Sequence, residues 1–395
     1  MVDTGEAQAL TMGLVRIESV NPTLSPGGSG ELAVARFIRE WLRSHGLDAD
    51  LVEAAPGRPN VVCAIRGSGR GQTLLLNGHT DTVGIEGMQI DPLGAEVRDG
   101  RLYGRGACDM KGGLAAMMIA MREIARGPRL PGDVIMTAVV DEEYASAGTE
   151  QVARDFAHKA DGAIVVEPTG LEVHIAHKGF AWATIETRGR AAHGSRPAEG
   201  VDAIAHMGRV LVEIERLGAR LASRRHPLLG APSIHASLIS GGTELSTYPP
   251  SCTLKVERRT IPGEFPEVVQ AELDSILEAL EKEDASFNGS AEVFFWRPPL
   301  ETDPDHPVVT SLVGAMEALT GSRPAFGGSS GWLDSALLDA AGIPSVVFGP
   351  GGGGMHGAAE WVDLAQVRAA ADVLVETARR FCSETRGPEK VNTQA

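Results

Sequence analysis

The chain has 395 residues, enough for two or three domains or for one large domain with an insertion. It carries 36 Lys and Arg against 52 Asp and Glu, a formal net charge of −16. Because phosphate-rich partners need basic surface, this balance argues against a nucleic-acid or anionic-membrane partner. The four cysteines are widely scattered without a CxxC pair, which argues against a disulfide framework and favours a reducing cytoplasm.

Predicted helices alternate with short apolar runs along most of the chain. The first twenty residues begin with acidic residues and predict an amphipathic helix, not a signal peptide. No apolar run reaches the ~18 residues that a membrane span needs. The polar tail from about Ser383 is expected to be frayed. Further helices are predicted over roughly 31–45, 111–125, 335–341 and 364–381.

Four short apolar runs lead into residues that could form a site. They cover 74–76, 134–140, 163–166 and 346–348. Continuous β-branched runs are typical of strands buried on both faces, so we predict an α/β fold with a helix-covered, mostly parallel sheet. Ligand sites in such sheets form beyond the carboxyl ends of the strands. Acids or histidines follow all four runs: His79, Glu142 with Glu143, Glu167, and His356.

The middle of the chain has a different pattern. Alternating apolar and polar residues indicate four strands separated by two helices, at about 201–217 and 267–283. The order β-α-β-β-α-β predicts one antiparallel sheet with two helices. We therefore expect an inserted α+β domain over 178–297. The catalytic, metal-binding domain would be discontinuous and comprise residues 1–177 and 298–395.

Several candidate residues also have ordinary structural explanations. If the strand continues, Asp81 points the same way as His79 and could fix the tautomer of a metal-bound imidazole, but a buried histidine or a turn gives the same pattern. Asp109 precedes a predicted helix and could be its N-cap or a carboxylate between two cations. Glu142 and Glu143 would repel each other without a cation or proton, unless they lie in a solvated acidic loop.

Two further residues complete the set. Glu167 ends its apolar run abruptly. His356 follows a glycine run that lacks the Lys-Ser/Thr of a phosphate loop, and alone it would be an ordinary loop residue. Two histidines with three or four carboxylates at one sheet edge suit zinc, with cobalt or manganese as alternatives. Two cations about 3.5–4 Å apart are usual in aminopeptidase-type hydrolases.

Nine motifs extend this pattern over nearly the whole chain. In order they are GHTDTV, YGRGACDMKGG, DEEYASAGTE, VEPT, RGRAAHGSRP, GGTELSTYPPSC, VERRTIPGE, GWLDSAL and HGAAEWV. This series resembles the M20 family of metallopeptidases, the group of acetylornithine deacetylase, succinyl-diaminopimelate desuccinylase, aminoacylase and glutamate carboxypeptidase. Through VERRTIPGE and AGIPSVVFGPG the chain is most similar to the deacetylase and desuccinylase branch.

The resemblance implies which residues hold two divalent cations. His79 and Glu167 would hold one, and Glu143 and His356 the other. Asp109 would bridge the two cations and be followed by a cis peptide bond. Zinc is the expected metal, with cobalt or manganese possible.

The resemblance also implies the catalytic and substrate-binding residues. Glu142 would be the general base and then the acid, and Asp81 would orient His79. The inserted domain would serve dimerisation or act as a lid. Its His193 would stabilise the oxyanion, either within its own chain or across a dimer. Arg259, or alternatively Arg258, would bind the carboxylate of the substrate. Ser246, where the family often has Asn, and Gly331 would make the remaining contacts with the substrate.

The sequence therefore predicts a cytoplasmic, homodimeric, dinuclear metal amidohydrolase. Its small-molecule substrate would be an N-acyl amino acid or a peptide-like molecule with a free carboxylate. A dipeptidase or carboxypeptidase of the same fold would share all the metal residues. A non-catalytic metal- or ligand-binding homologue is a third interpretation, which the presence of Glu142 disfavours because a pure binder needs no base. A structural oligomer-forming protein is the fourth.

Overall fold

Helices and strands alternate along the described part of this computed structural model, which comprises residues 3–157 and 159–385. Of the tail predicted to fray, residues 386–395 lie outside the described residues. The helices are α1 (Thr4–Val15), α2 (Leu32–Ser44), α3 (Gly112–Arg126), α4 (Ala147–Phe156), α5 (Ala203–Leu221), α6 (Pro266–Glu283), α7 (Pro307–Thr320), α8 (Ser335–Ala340) and α9 (Leu364–Phe381).

The strands are short in the first half of the chain and longest in its middle. They are β1 (Ala49–Ala55), β2 (Arg58–Ile65), β3 (Leu74–His79), β4 (Glu96–Arg98), β5 (Arg101–Tyr103), β6 (Val134–Val139), β7 (Gly162–Val165), β8 (Val173–His177), β9 (Gly179–Arg188), β10 (Ser233–Gly241), β11 (Ser251–Thr260), β12 (Gly289–Arg297), β13 (Leu300–Glu301), β14 (Phe326–Ser329), β15 (Ser345–Val347), β16 (Gly352–Gly353) and β17 (Trp361–Asp363).

The described residues form two compact units. The second comprises Ala176–Glu301 together with Gly328–Trp332, and the first comprises the others. Residues 176–177, 298–301 and 328–332 were predicted to belong to the discontinuous catalytic domain, whereas they group with the second unit. Contacts within that unit explain the difference, because the indole of Trp332 donates a hydrogen bond to the Pro298 carbonyl at 3.1 Å.

A buried, largely parallel sheet forms the centre of the first unit. Six of its strands lie in the order β1-β2-β6-β3-β7-β15, and the last four of these are mutually parallel. Every residue of β3, β6, β7 and β15 is buried, as expected for strands with helices over both faces. The predicted α/β class with a mostly parallel sheet is therefore confirmed.

The parallel pairing brings the carboxyl ends of β3, β6, β7 and β15 to one edge of this sheet. β3 ends at His79, and β6 ends three residues before Glu142. β7 ends at Val165, two residues before Glu167. The fold thus places His79, Glu142, Glu143 and Glu167 at a common edge of the sheet.

The second unit has the predicted order β9-α5-β10-β11-α6-β12. Its antiparallel sheet has the strand order β10-β11-β9-β12. The core lies between α5, α6 and one sheet face, to which Ile185, Leu254 and Val256 contribute buried side chains. Side chains alternate along a strand, so Trp182, Glu257 and Arg259 lie on the opposite face.

Several elements were not anticipated. Helices α4 and α7 and the small sheet β16-β17-β5-β4 had no counterpart in the sequence analysis. α4 begins four residues after Glu143. No helix among residues 3–157 and 159–385 is long and apolar enough to cross a membrane.

Candidate metal centre

Asp109 lies between two pairs of histidine and glutamate side chains. Its Oδ1 is 3.0 Å from Nε2 of His79, which is also 3.6 Å from Oε1 of Glu167. Its Oδ2 is 3.3 Å from Nε2 of His356, which is also 3.2 Å from Oε2 of Glu143. In each group of three, the candidate ligand atoms lie within 4.8 Å of one another. One carboxylate is therefore shared by two clusters of metal-ligand type.

The loop that carries Asp109 is fixed by a buried glutamate far along the chain. Glu360 accepts hydrogen bonds from the backbone N–H groups of Gly106, Cys108 and Asp109 at 3.0, 2.9 and 3.0 Å. It also pairs with the buried guanidinium of Arg105 at 2.8 Å. The peptide bond between Asp109 and Met110 is cis, as the resemblance implied. Glu360 thus sets the position of the shared carboxylate through the backbone.

The loop with Glu142 and Glu143 is anchored by Asp81. The carboxylate of Asp81 accepts the backbone N–H groups of Glu142 at 3.2 Å and Glu143 at 3.1 Å. Asn21 donates to the same carboxylate at 2.8 Å. Three donors therefore occupy this buried carboxylate.

Asp141, immediately before the two glutamates, has a left-handed backbone with φ of 74°. Residues other than glycine seldom adopt this conformation unless their surroundings impose it. Its carboxylate is held by Arg58 at 2.9 Å and by Asn21 at 3.1 Å. Arg58 is in turn bound by the fully buried Glu31, through a hydrogen bond of 2.9 Å from Nε. This chain of charges fixes the turn from which Glu142 and Glu143 project.

The role predicted for the Asp81 carboxylate is corrected by this geometry. Nδ1 of His79 lies 2.9 Å from the main-chain carbonyl oxygen of Asp81 and 3.6 Å from its carboxylate. The prediction assumed that the strand continues to residue 81, but β3 ends at His79. The chain turns there, so the carbonyl meets the imidazole and the carboxylate turns towards the Glu142–Glu143 backbone.

The electrostatics of the cluster favour added positive charge. Burial and the charge of Glu167 raise the pKa of Glu142 well above its usual range. Although burial acts the other way, Glu167 and Asp109 raise the pKa of His79, and hydrogen bonds to Asp109 and Glu143 raise the pKa of His356 to about 10. Each imidazole is thus stabilised as a cation by its carboxylates, and a divalent cation satisfies the same need.

The residues present fit a pair of divalent cations. Imidazole and carboxylate donors are those that zinc, cobalt and manganese accept. The Oε1 atom of Glu143 is buried and has no hydrogen-bond partner among the described residues, although a buried carboxylate oxygen is costly to leave unpaired. A cation between Glu143 and His356 would satisfy it. Zinc, cobalt and manganese all suit this set of donors.

The other predicted site residues belong to the second unit. His193 is exposed, with Nδ1 2.8 Å from Oγ of Ser195, and it forms an isolated β-bridge with Thr247. The carbonyl of Ser246, next to Thr247, accepts the N–H of Gly194 at 2.8 Å. Gly331 is exposed, and its N–H donates to Ser329 at 3.2 Å. His193 and Ser246 therefore lie close together on this unit.

Arg258 and Arg259 have different surroundings. The side chain of Arg258 is fully buried and pairs with Glu264 at 2.8 Å and Glu272 at 3.1 Å. The side chain of Arg259 is 32% exposed and pairs with Glu257 at 2.7 Å. Of these two arginines, only Arg259 has a guanidinium that a solvent-borne carboxylate can reach.

The sequence analysis missed the residues that hold the site in place. They are Asn21, Glu31, Arg58, Asp141 and Glu360. Two signals were available, since Glu360 lies in the HGAAEWV motif and Asp141 directly precedes the glutamate pair. Asn21, Glu31 and Arg58 lie far from any motif, and only the folded chain brings them to the site.

The comparisons with known proteins agree with this geometry. Residues 75–380 match the profile of peptidase family M20/M25/M40. The chain is 31% identical over 358 residues to the acetylornithine deacetylase of Myxococcus xanthus, covering 88% of this chain and 91% of that protein. It is 28% identical over 394 residues to the N-formyl-4-amino-5-aminomethyl-2-methylpyrimidine deformylase of Bacillus subtilis, covering 91% and 92%.

A solved structure has the same fold. The YXEP protein of Bacillus subtilis, a dinuclear metal-binding peptidase from the M20 family, superposes with a TM-score of 0.74 at 16% identity. The match covers 95% of this chain and 97% of that chain. The chain therefore belongs to peptidase family M20/M25/M40. It is a metal-dependent hydrolase of amide bonds.

Proposed function

We propose that this hydrolase removes the acyl group of an N-acyl amino acid through a centre that holds two divalent cations. The observation that carries the proposal is the placement of the Asp109 oxygens, one against His79 and Glu167 and the other against Glu143 and His356. The two triads share only Asp109. A carboxylate that faces two ligand sets on opposite oxygens is suited to bridge two cations.

His79, Glu167 and Asp109 would hold one cation, and Glu143, His356 and Asp109 the other. When bound, such cations polarise an amide carbonyl and lower the pKa of water, with zinc as the proposed metal. The protein's own contribution is to fix these ligands: Glu360 positions the Asp109 backbone, and the Asp81 carbonyl orients the His79 ring.

Glu142 is the proposed general base and acid. It is not a member of either triad, but it adjoins Glu143 in the chain and its backbone N–H is held by the Asp81 carboxylate. In the proposed reaction Glu142 removes a proton from the attacking water and later delivers it to the leaving amine. The Asp81 carboxylate holds its backbone in place for both transfers.

Recognition of the substrate is assigned to the second unit. Arg259 would bind the free carboxylate, because a guanidinium matches a carboxylate with two parallel hydrogen bonds. His193 would donate to the oxyanion of the tetrahedral intermediate, a contact often worth ~3–4 kcal/mol. Ser246 and Gly331 would supply further polar contacts to the substrate.

A homodimer built through the second unit is part of the proposal. β10 is an edge strand of the sheet, and its Leu238 and Ile239 are 66% and 55% exposed. An edge strand with unpaired backbone groups and exposed apolar side chains can pair with a second copy. Sedimentation at several concentrations tests this, and a Leu238→Lys chain should shift towards the monomer mass.

A cytoplasmic location is proposed because Cys63, Cys108, Cys252 and Cys382 are free and buried. Free thiols persist in a reducing compartment. Trapping newly made protein with a thiol-alkylating reagent under denaturing conditions measures their oxidation state in cells.

A substrate screen distinguishes deacylation from peptide hydrolysis. The protein is loaded with zinc, cobalt or manganese and given N-acetyl, N-succinyl and N-formyl amino acids beside dipeptides. The formyl compounds are included because a relative of 28% identity is a deformylase. We expect the highest kcat/KM for an N-acyl amino acid with a free carboxylate, and preferential cleavage of dipeptides would favour the dipeptidase alternative.

A further inference from the structure

Aromatic residues are scarce in this chain yet gather on one face of the second unit. They make up 5% of the sequence. The indole of Trp182 stacks on Phe295 with centroids 4.9 Å apart, and both contact Phe180, at 5.2 and 5.8 Å. Trp332 meets Phe180 edge-on at 6.1 Å. We call Phe180, Trp182, Phe295 and Trp332 the aromatic shelf.

The aromatic shelf lies on the sheet face opposite α5 and α6. Strand register pairs Phe180 with Arg259 and Trp182 with Glu257. The next pair along these two strands, Ala183 and Val256, belongs to the core packed against the helices. Because side chains alternate along a strand, the shelf and Arg259 share the face without helices. Trp182 and Phe295 are partly exposed there in the complete chain.

Two guanidinium groups lie against the shelf. Cζ of Arg259 is 5.2 Å from the centroid of Phe180. Cζ of Arg297 is 4.8 Å from Phe295 and 5.5 Å from Trp332. Guanidinium groups at these distances are attracted to the ring faces. Rings with guanidinium groups beside them are complementary to a ligand that is both aromatic and anionic, and Glu257 balances part of the charge at Arg259.

Trp182 of the shelf, acting through Glu257, also determines which edge of the Arg259 guanidinium is open to a ligand. Nε of Arg259 donates to Oε1 of Glu257 at 2.7 Å, and Oε2 of Glu257 accepts the indole N–H of Trp182 at 3.0 Å. The two Nη atoms of Arg259 make no hydrogen bond to the residues that the structure describes. Glu257 and Trp182 therefore hold the guanidinium with its paired Nη donors open to a carboxylate.

We propose that the aromatic shelf binds the aromatic side chain of a substrate whose carboxylate is bound by Arg259. The preferred substrates are then N-acyl derivatives of aromatic amino acids. In phenylalanine only two carbon atoms separate the carboxylate from the ring, and Arg259 and Trp182 are close neighbours because both bond the carboxylate of Glu257. This inference rests on the proposed function, because that function assigns the carboxylate to Arg259.

Binding of inert analogues tests the shelf without turnover. The full-length, zinc-loaded protein is titrated by calorimetry with 3-phenylpropanoate, 3-cyclohexylpropanoate and 3-phenylpropanamide. A carboxylate bound to the metals contributes equally to both acids, so their ratio reports the ring contact. We expect the phenyl acid to bind about 2- to 10-fold more tightly than the cyclohexyl acid. We expect the amide to bind at least about 10-fold more weakly than the acid.

Variants assign these differences to the shelf. Trp182→Leu and Phe295→Leu should each reduce the phenyl-over-cyclohexyl ratio towards one. Phe265→Leu is the matched control, because Phe265 is a 62% exposed phenylalanine of the same unit that lies outside the shelf. Circular dichroism of each variant verifies folding, and Trp182→Phe retains a ring if Trp182→Leu fails to fold. Equal affinities of the two acids for the wild-type protein overturn the proposal.

Hydrolysis distinguishes failure of this inference from failure of the proposed function. We expect a higher kcat/KM for N-acetylphenylalanine than for N-acetylleucine, and Phe295→Leu should remove only that preference. Turnover of both at equal rates overturns the shelf and leaves deacylation intact. Selective phenylpropanoate binding without hydrolysis of any N-acyl amino acid supports the shelf and rejects deacylation. If Trp182→Leu instead changes the sedimentation mass and leaves both acids equal, the shelf is a contact between copies and the proposal is wrong.

Discussion

The ring of His79 is held by the main-chain carbonyl oxygen of Asp81, at 2.9 Å from Nδ1. The Asp81 carboxylate is left to accept the backbone N–H groups of Glu142 and Glu143. One residue therefore connects a proposed metal ligand with the loop that carries the proposed base. The two functions use different atoms, so they can be separated by substitution.

Replacing the Asp81 carboxylate should act on the glutamate loop. Asp81→Asn keeps the main-chain carbonyl for His79 but leaves one oxygen for two backbone donors, so its amide N–H₂ must face one of them. Loss of a buried acceptor costs about 1–3 kcal/mol, so we expect kcat to fall about 5- to 150-fold with metal content retained. Asn21→Ala should cause a smaller fall of the same kind. Wild-type kcat in both variants would contradict this role.

Replacing Glu142 should separate metal binding from catalysis. Glu142→Gln keeps the size of the side chain and removes its basicity. Because the residue belongs to neither triad, we expect unchanged metal content and a loss of about 10²–10⁴-fold in kcat. Glu96→Gln, at an exposed surface position, is the control. A Glu142→Gln enzyme that retains its metals and turns over near the wild-type rate would remove Glu142 from the mechanism.

The two adjacent arginines should respond differently to substitution. Arg258→Met removes the buried partner of Glu264 and Glu272 and leaves them only the half-exposed Arg224, so we expect a loss of about 3 kcal/mol in the free energy of unfolding. Arg259→Ala should leave stability nearly unchanged and raise KM about 10- to 100-fold for substrates with a free carboxylate. Substrate amides should be affected much less. An equal rise in KM for acids and amides would show that Arg259 does not bind the carboxylate.

His193 can be tested in mixed dimers. His193→Ala should lower kcat without changing metal content, as expected for a lost transition-state contact. Inactive His193→Ala and Glu142→Gln chains are then mixed, and subunit exchange is verified with distinguishable tags. Recovered activity means that His193 acts across the dimer. Exchanged dimers without recovered activity would restrict it to its own chain.

The parts of the fold that follow local sequence patterns were predicted well. The buried apolar runs gave the parallel strands, and the helix predicted over 364–381 coincides with α9, Leu364–Phe381. His79, Glu142, Glu143 and Glu167 were predicted as site residues because each follows a continuous apolar run, whereas Asp109 was predicted from its place before a helix and from the resemblance. The order of elements in the second unit also followed from alternation alone.

The residues that hold the site in place could not be predicted from local sequence patterns. Asn21 and Asp81 are 60 residues apart, and Glu360 meets the Cys108 N–H across 252 residues. Such contacts depend on the packing of distant segments and leave no periodic signal. The error at Asp81 has a local cause: β3 ends at His79, and beyond it the main-chain carbonyl of Asp81 approaches the imidazole more closely than the carboxylate does.

The most direct test of the dinuclear centre is the number of cations bound per chain. Elemental analysis of gel-filtered, zinc-reconstituted protein should give about two, because two triads share Asp109. His356→Ala removes a ligand of one triad only and should give about one. Wild-type protein that is active with one cation or none per chain, or a His356→Ala chain that still binds two, would contradict the account.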